Sequence, residues 1–162
     1  MSKLKNSPLT LTALILTVTV CIAIATSFAS NTYRDDVSLH LSGYLMRDGS
    51  QIDLNQSVIA KSHEKLHYTM TAQNTGEPIN QFRAVGQVPT GTVLLLDSIH
   101  ELAVEFSIDG GKSFSAKPQM QVIQNGKPKM SDAPVEQYNA VAFTLADGFK
   151  GQQTLNYEVE VK

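Results

Sequence analysis

Residues 66–76 read LHYTMTAQNTG, and this stretch decides the fold. Every second residue at its start is apolar, namely Leu66, Tyr68, Met70 and Ala72, and polar residues stand between them. Because successive side chains of a β-strand point to opposite faces, the pattern predicts a strand with one face in the core and one in water. The Asn-Thr-Gly that follows favours a turn.

The same period of two recurs before and after this stretch. The other alternating rows are Val37, Leu39, Leu41 and Leu45; Phe82, Ala84, Gly86 and Val88; Val104, Phe106 and Ile108; Val141, Phe143 and Leu145; and Leu155, Tyr157, Val159 and Val161. Residues 92–96 form a continuous apolar run instead, which is typical of a strand covered on both faces. After residue 30, no window of about a dozen residues shows the 3.6-residue period of a capped helix.

Short turn-forming sequences separate the rows. They are Asp48-Gly49, Asn74-Thr75-Gly76, Pro89-Thr90-Gly91, Asp109-Gly110-Gly111, Asn125-Gly126 and Asp147-Gly148. Each supplies a residue that accepts a positive φ or starts a tight turn. Roughly seven to nine short strands at about ten-residue spacing predict one all-β domain, folded as an antiparallel two-sheet sandwich.

The N-terminus has the composition of an export signal. Lys3 and Lys5 precede an uncharged, mostly apolar stretch over 9–25, and small residues follow it up to Ala29. This order is that of a secretory signal, so we expect cleavage after Ala29, with Ala25 as the second choice. A lipoprotein signal at the sole cysteine is disfavoured, because the residue before that cysteine is a bulky valine.

An uncleaved membrane anchor is the alternative to cleavage, although the apolar stretch is near the lower length limit for crossing a bilayer. We therefore expect a signal peptide over 1–29, forming an N-terminal signal helix, and a single sandwich domain over 30–162. The domain should lie outside the cytoplasm, in the periplasm or at the cell surface. It should contact a membrane only through the N-terminal segment.

Composition excludes several function classes. The 162-residue chain has a formal charge of -2 and no tryptophan, and its lysines and arginines are dispersed. A mildly acidic domain of this kind lacks the electrostatic footprint of a nucleic-acid-binding protein. Cys21, the sole cysteine, lies in the expected leader. The domain itself therefore has no thiol for a disulfide, a thiolate metal site or a cysteine nucleophile.

Four segments of the domain are similar to the bacterial conserved repeat domain family, also called domain of unknown function eleven. Residues 66–76 resemble the family's alternating strand that contains a tyrosine and ends in Asn-Thr-Gly, and residues 88–92 resemble its Pro-x-Gly turn. Residues 104–114 resemble its hairpin, in which Ser-x-Asp-Gly-Gly-Lys is followed by an aromatic residue, and residues 155–161 resemble its last strand. The resemblance spans about residues 36–162. It implies an immunoglobulin-like sandwich on the cell surface or in the periplasm, without catalytic residues. The implied structural turn residues are Asn74, Gly76, Pro89, Gly91, Ser107, Asp109, Gly111 and Phe114.

The hairpin at 107–114 also fits the pattern called an Asp-box. Asp109 is expected to accept backbone N–H groups, Gly111 to take a positive φ, and Phe114 to pack beneath the turn. Such boxes are structural even where they occur in enzymes. Since the sequence also lacks a nucleophile elbow and a phosphate-binding glycine loop, we expect no enzymatic activity.

Histidines and methionines are the weak candidates for metal binding. His63 and His67 stand four residues apart, but on one extended strand they would be about 13 Å from each other. Only a bend near His63 would bring them together. His40 and Met46 could suit copper, yet the soft ligands are scattered along the chain. We therefore expect no metal or other cofactor.

The leading hypothesis is an exported structural or interaction domain. It would bind an envelope protein, or another copy of itself, through a sheet edge or through its loops. The tract 112–130, rich in lysine, proline and glycine, is the candidate partner-facing segment. The alternative is a periplasmic carrier of a small ligand or of copper, built on His40, His63 and Met46.

Overall fold

The computed structural model describes residues 35–55, 57–100 and 103–162. The predicted leader over 1–29, including its signal helix, lies outside these residues. The described strands are β1 Val37–Arg47, β2 Ser50–Asp53, β3 Lys65–Ile79, β4 Arg83–Gln87, β5 Thr92–Leu95, β6 Val104–Ser107, β7 Gln119–Gln124, β8 Lys127–Asp132, β9 Ala140–Thr144 and β10 Phe149–Val161. Two short 3-10 turns lie at Leu96–Ser98 and Val135–Gln137. Over the described ranges no α-helix is present, so the all-β prediction is confirmed.

The strands form three antiparallel sheets. The five-stranded sheet has the order β2-β1-β3-β10-β5, the three-stranded sheet has the order β4-β9-β6, and β7 pairs with β8 alone. No helix within the described part of the chain is long and apolar enough to span a membrane.

The alternating rows form the core. Leu66, Tyr68, Met70 and Ala72 on β3 are all buried, and so are Leu155, Tyr157, Val159 and Val161 on β10. Because β3 and β10 are neighbours in register, these two rows lie side by side on one face of the five-stranded sheet. The polar residues between them form the opposite, outward face.

Side chains of the five- and three-stranded sheets meet in this one core. The Tyr157 ring lies 6.4 Å from the Phe143 ring of β9, measured between centroids. The Tyr157 hydroxyl donates a 2.9 Å hydrogen bond to the Gln87 carbonyl of β4. At Gly86 an added Cβ would lie 2.7 Å from a Tyr157 ring carbon, so only glycine permits this approach.

Residues 92–96 do not form the strand covered on both faces that their sequence predicted. β5 ends at Leu95 and lies at the edge of the five-stranded sheet, where it pairs with β10. Thr92 and Leu94 are buried, whereas Leu96 is 44% exposed. The apolar run therefore comprises one inward row and a 3-10 turn, because the chain leaves the sheet at Leu96.

β3 continues past the Asn-Thr-Gly predicted as a turn and ends at Ile79. The register with β10 shifts there, between the pair Gly151–Asn74 and the pair Phe149–Ile79. The Asn74 side chain is buried, and its amide donates to the carbonyls of Glu77 and Phe149 at 2.8 Å each. These bonds connect the Asn-Thr-Gly segment to β10 at the register shift, and the chain does not reverse there.

Candidate functional site

The turn after β6 is organised by Ser107 and Asp109. Asp109 accepts hydrogen bonds from the backbone N–H groups of Lys112 and Ser113, both at 3.0 Å, and from the Ser113 hydroxyl at 2.6 Å. The Ser107 hydroxyl is 2.7 Å from Asp109 and accepts the Gly111 N–H at 2.9 Å. These donors, with the Ser113 hydroxyl first, hold the pKa of Asp109 well below its ordinary value.

The same turn carries Phe114 to the outward face of the three-stranded sheet. The guanidinium of Arg83 lies 4.3 Å from the centre of the Phe114 ring, and Arg83 also forms an ion pair with Glu105. Arg83 is on β4 and Glu105 on β6, so the pair spans the central strand β9. This arrangement covers Ala142, which is 1% exposed. We interpret the turn as a structural cover.

The two other predicted turn regions also make structural contacts. The Thr92 hydroxyl donates to the Pro89 carbonyl at 2.8 Å, and the Gly91 carbonyl accepts the N–H of Lys162 at 2.9 Å. Gly76 lies against Asp36, and an added Cβ there would be 1.5 Å from the Asp36 carboxylate. None of these contacts forms a site with free catalytic groups.

The candidate metal ligands lie in separate places. His63 sits in a bend before β3, with a φ of 67°, and its Nδ1 is 3.0 Å from Glu160. His67 is on β3, where its ring stacks on Tyr44 at 4.7 Å and its Nδ1 is 2.8 Å from Glu158. The bend considered for His63 therefore exists, but each histidine contacts a different glutamate of β10.

His40 and Met46 lie on the outward face of β1. They are six residues apart on one strand, which corresponds to about 20 Å and is too far for one shared ion. Within the described ranges, no group of three or more histidine, cysteine, aspartate or glutamate side chains is arranged to hold a metal.

The β7–β8 hairpin is the most distinctive surface feature. Asn125 and Gly126 have φ values of 52° and 73°, as a two-residue type I′ turn requires. Neither strand pairs with any other described strand. Ile123 is 71% exposed and Met130 58% exposed, and the register places both on one face of the hairpin.

The two edges of the hairpin differ. A two-residue turn makes Gln124 and Lys127 a hydrogen-bonded pair, and such pairs alternate with pairs whose N–H and C=O groups point outward. The outward groups of β7 therefore belong to residues 119, 121 and 123. On β8 the first outward position is Pro128, which has no N–H to offer.

A backbone hydrogen bond at the base of the hairpin supports this alternation. The N–H of Ala133 donates to the Pro118 carbonyl at 2.8 Å, so the base of the hairpin is a hydrogen-bonded pair, as the count from the turn requires. β7 thus presents an open edge, and the proline and lysines of β8 protect the other edge from pairing.

The sequence predicted the β7–β8 hairpin only in part. The tract 112–130 overlaps the hairpin, and Asn125-Gly126 indicated its turn. The separation of 119–132 from the two larger sheets had no sequence signal, because Met120 and Val122 alternate just as core-facing residues do.

Comparison with known proteins gave no match: no family model, no curated protein and no solved structure is similar to this chain. The resemblance to the conserved repeat family stays a prediction.

Proposed function

We propose that this protein is an exported, non-catalytic interaction domain of the bacterial cell envelope, and that the β7–β8 hairpin is its contact element. One observation carries the proposal: the hairpin stands outside the shared core and exposes Ile123 and Met130 on one face. Large exposed apolar side chains grouped on a surface are typical of protein contact sites.

The proposed location rests on the leader. Its basic head, apolar middle and small residues before Ala29 are the features that the export machinery and signal peptidase recognise. Expression of the full chain, followed by osmotic shock and mass measurement, tests this. We expect a released product that begins at Ser30; a cytosolic product with its leader intact would contradict export.

We further propose that the two larger sheets form a sandwich of the immunoglobulin-like type expected from the resemblance. β9 lies beside β4, as the sixth strand of an immunoglobulin domain lies beside the third. The last strand differs, because β10 joins the other sheet between β3 and β5. This nested pairing, β3 with β10 and β4 with β9, is also that of a jelly roll.

Site-specific photo-crosslinking tests the contact element. A photoreactive residue at Ile123 should give a defined adduct in the cells that make the protein, since its side chain is exposed on the hairpin. The same residue at Thr154, exposed on the five-stranded sheet, is the matched control. Equal labelling from both positions, or none from position 123, would overturn the proposal.

The metal-carrier alternative has a direct test. Titration of the exported chain with copper and with zinc should show no binding tighter than about 0.1 mM, because no three histidine, cysteine, aspartate or glutamate side chains of the described residues are arranged to hold an ion. Tighter binding that is lost in His67→Ala or His63→Ala would favour the carrier.

A further inference from the structure

We propose that the outward edge of β7 pairs with the same edge of a second copy of this chain. The two strands would run antiparallel about a two-fold axis at Gln121, forming a four-stranded sheet in the order β8-β7-β7-β8. This inference rests on the proposed function, since it names the partner of the same hairpin.

Self-pairing at Gln121 would use all the outward backbone hydrogen-bonding groups of β7. The outward N–H and C=O groups of β7 belong to Gln119, Gln121 and Ile123. With the axis at Gln121, each Gln119 faces an Ile123 and the two Gln121 residues face each other. All three outward positions are then used, giving about six backbone hydrogen bonds. A shift of the axis to residue 120 or 122 would use fewer of them.

The absence of charged residues on β7 also favours a second copy as its partner. β7 reads QMQVIQ and has no charged residue, so two copies can approach without repulsion. The lysines of the hairpin, Lys127 and Lys129, are on β8, one strand away from the seam. An acidic or basic partner strand would find no counter-charge on β7, whereas a second β7 matches it in neutrality.

The side chains of the two β7 strands would also contact one another across the seam. On the face opposite Ile123, the half-buried Met120 would lie beside Val122 of the second copy, and the reverse contact follows from symmetry. On the other face the two Gln121 amides would be directly opposite, close enough to hydrogen-bond to each other. The apolar Met120 and Val122 thus meet on one face and the two Gln121 amides meet on the other, where each Gln119 lies beside an Ile123.

The other edge explains why the assembly would stop at two copies. Pro128 removes the first outward donor of β8, and lysines flank it on both sides. Prolines and lysines on an edge strand oppose further pairing. The contact is therefore closed, as in a two-fold dimer, and does not continue into a fibre.

Sedimentation velocity on the exported chain tests the proposal. A strand-pair interface is smaller than a standard protein interface, so we expect a reversible dimer with a Kd between about 10 µM and 1 mM. Gln121→Pro should weaken it by at least about 10-fold, because proline has no N–H to donate across the seam. The hairpin tolerates proline at the equivalent outward position of β8, Pro128.

A charge exchange separates this contact from general destabilisation. Gln121→Lys and Gln121→Glu each place like charges opposite each other at the axis and should each weaken the dimer by at least about five-fold. An equal mixture of the two variants should restore association to within about three-fold of the unmodified chain. Thr154→Lys is the matched control, because it adds the same charge at an exposed position of the five-stranded sheet, outside the hairpin.

The outcomes distinguish the two proposals. Loss in both charge variants with rescue in the mixture supports the β7 contact. A chain that stays monomeric to about 1 mM, yet gives a hairpin-dependent adduct with another protein at position 123, overturns the self-pairing and leaves the proposed function standing. A monomer without such an adduct overturns both. A dimer insensitive to all changes at Gln121 also overturns the self-pairing.

Discussion

At the scale of single residues, two neighbouring tyrosines differ in how their hydroxyls are satisfied. The rings of Tyr68 and Tyr157 stack at 5.1 Å, and both are buried. Tyr157 donates to the Gln87 carbonyl, whereas the Tyr68 hydroxyl has no hydrogen-bond partner among the described residues. A buried hydroxyl without a partner loses its bonds to water and gains none in return.

Tyr68→Phe should therefore be neutral or stabilising by up to about 1 kcal/mol, and Tyr157→Phe should be destabilising by about 0.5–1.5 kcal/mol. Urea unfolding of the two variants side by side is the measurement, and each serves as the control for the other. If the two substitutions change the free energy of unfolding equally, the two hydroxyls do not differ in hydrogen bonding as described.

Burial also raises the pKa of Tyr68 to about 12, from an ordinary value of 10.0, because the phenolate is poorly solvated there. Because the pKa of Tyr68 is higher in the folded state than in the unfolded state, its contribution to stability is fully present when the pH is below the unfolded-state pKa. This contribution is lost as the pH rises from about 10 towards 12. Tyr68→Phe should flatten the loss of stability in that range. The same loss in the variant and in the unmodified chain would contradict this.

Asp109 is expected to show the opposite pH dependence. Its pKa is depressed by the Ser113, Ser107 and Lys112 donors, so its contribution is present above the unfolded-state value and is lost as the pH falls below about 4. Asp109→Asn should be less stable than the unmodified chain at neutral pH, and this gap should narrow on acidification. Ser113→Ala should show a smaller change in the same direction.

Thermal unfolding between pH 2 and pH 7 measures this effect. An acid profile of Asp109→Asn parallel to that of the unmodified chain would show that the turn does not depend on the carboxylate.

At the scale of secondary-structure elements, the hairpin should be separable from the fold. Ala133 and Pro118 form a hydrogen-bonded pair at its base, and Gln124 and Lys127 form an equivalent pair at its tip. Replacing 119–132 by Asn-Gly would therefore join 118 to 133 through the same two-residue turn. No residue of β7 or β8 belongs to the buried core.

We expect this shortened chain to keep its β-sheet circular dichroism and a melting temperature within about 5 °C of the unmodified chain. It should lose self-association and the adduct at the hairpin. A chain that no longer folds would show that the hairpin is part of the structural core.

Arg47 shows how a loop is fixed to a sheet. Its guanidinium makes two 2.7 Å bonds to Glu64 and a 2.9 Å bond to the Ile59 carbonyl, which ties residues 59–64 to β1. The Arg47 hydrogen bonds are the main reason that the pKa of Glu64 is lowered. This pair could not be predicted from the sequence, because its members are far apart along the chain.

At the scale of the whole molecule, the approach of the two larger sheets depends on Gly86. An added Cβ would lie 2.7 Å from a ring carbon of Tyr157, and a packed core does not yield without cost. Gly86→Ala should therefore destabilise the domain by about 1–3 kcal/mol. In a Tyr157→Leu background the same substitution should cost less than about 1 kcal/mol, because the ring is absent.

Chemical denaturation of the four proteins in this cycle gives the coupling energy. A cost for Gly86→Ala that is unchanged by Tyr157→Leu would mean that the sheets do not meet at this point.

Much of the local structure was predictable from the sequence. The alternating rows on β3 and β10 follow from the period of two, and that period is a local property of the strand. The burial of Ala140 and Ala142 on β9 was not predictable, because alanine occurs on either face and carries little pattern. Ala142 is covered by Arg83, Glu105 and Phe114, all of which are far from it along the chain.

The alternating pattern and the turn residues were sufficient to predict that the part of the chain that the structure describes is all-β, where most of its strands lie and which face of each core strand is apolar. Only the tertiary structure decided that β10 lies between β3 and β5, and that 119–132 stands apart from both larger sheets. The physical reason is that period and turn chemistry depend on neighbouring residues, whereas the choice of strand partner depends on side-chain packing between distant parts of the chain.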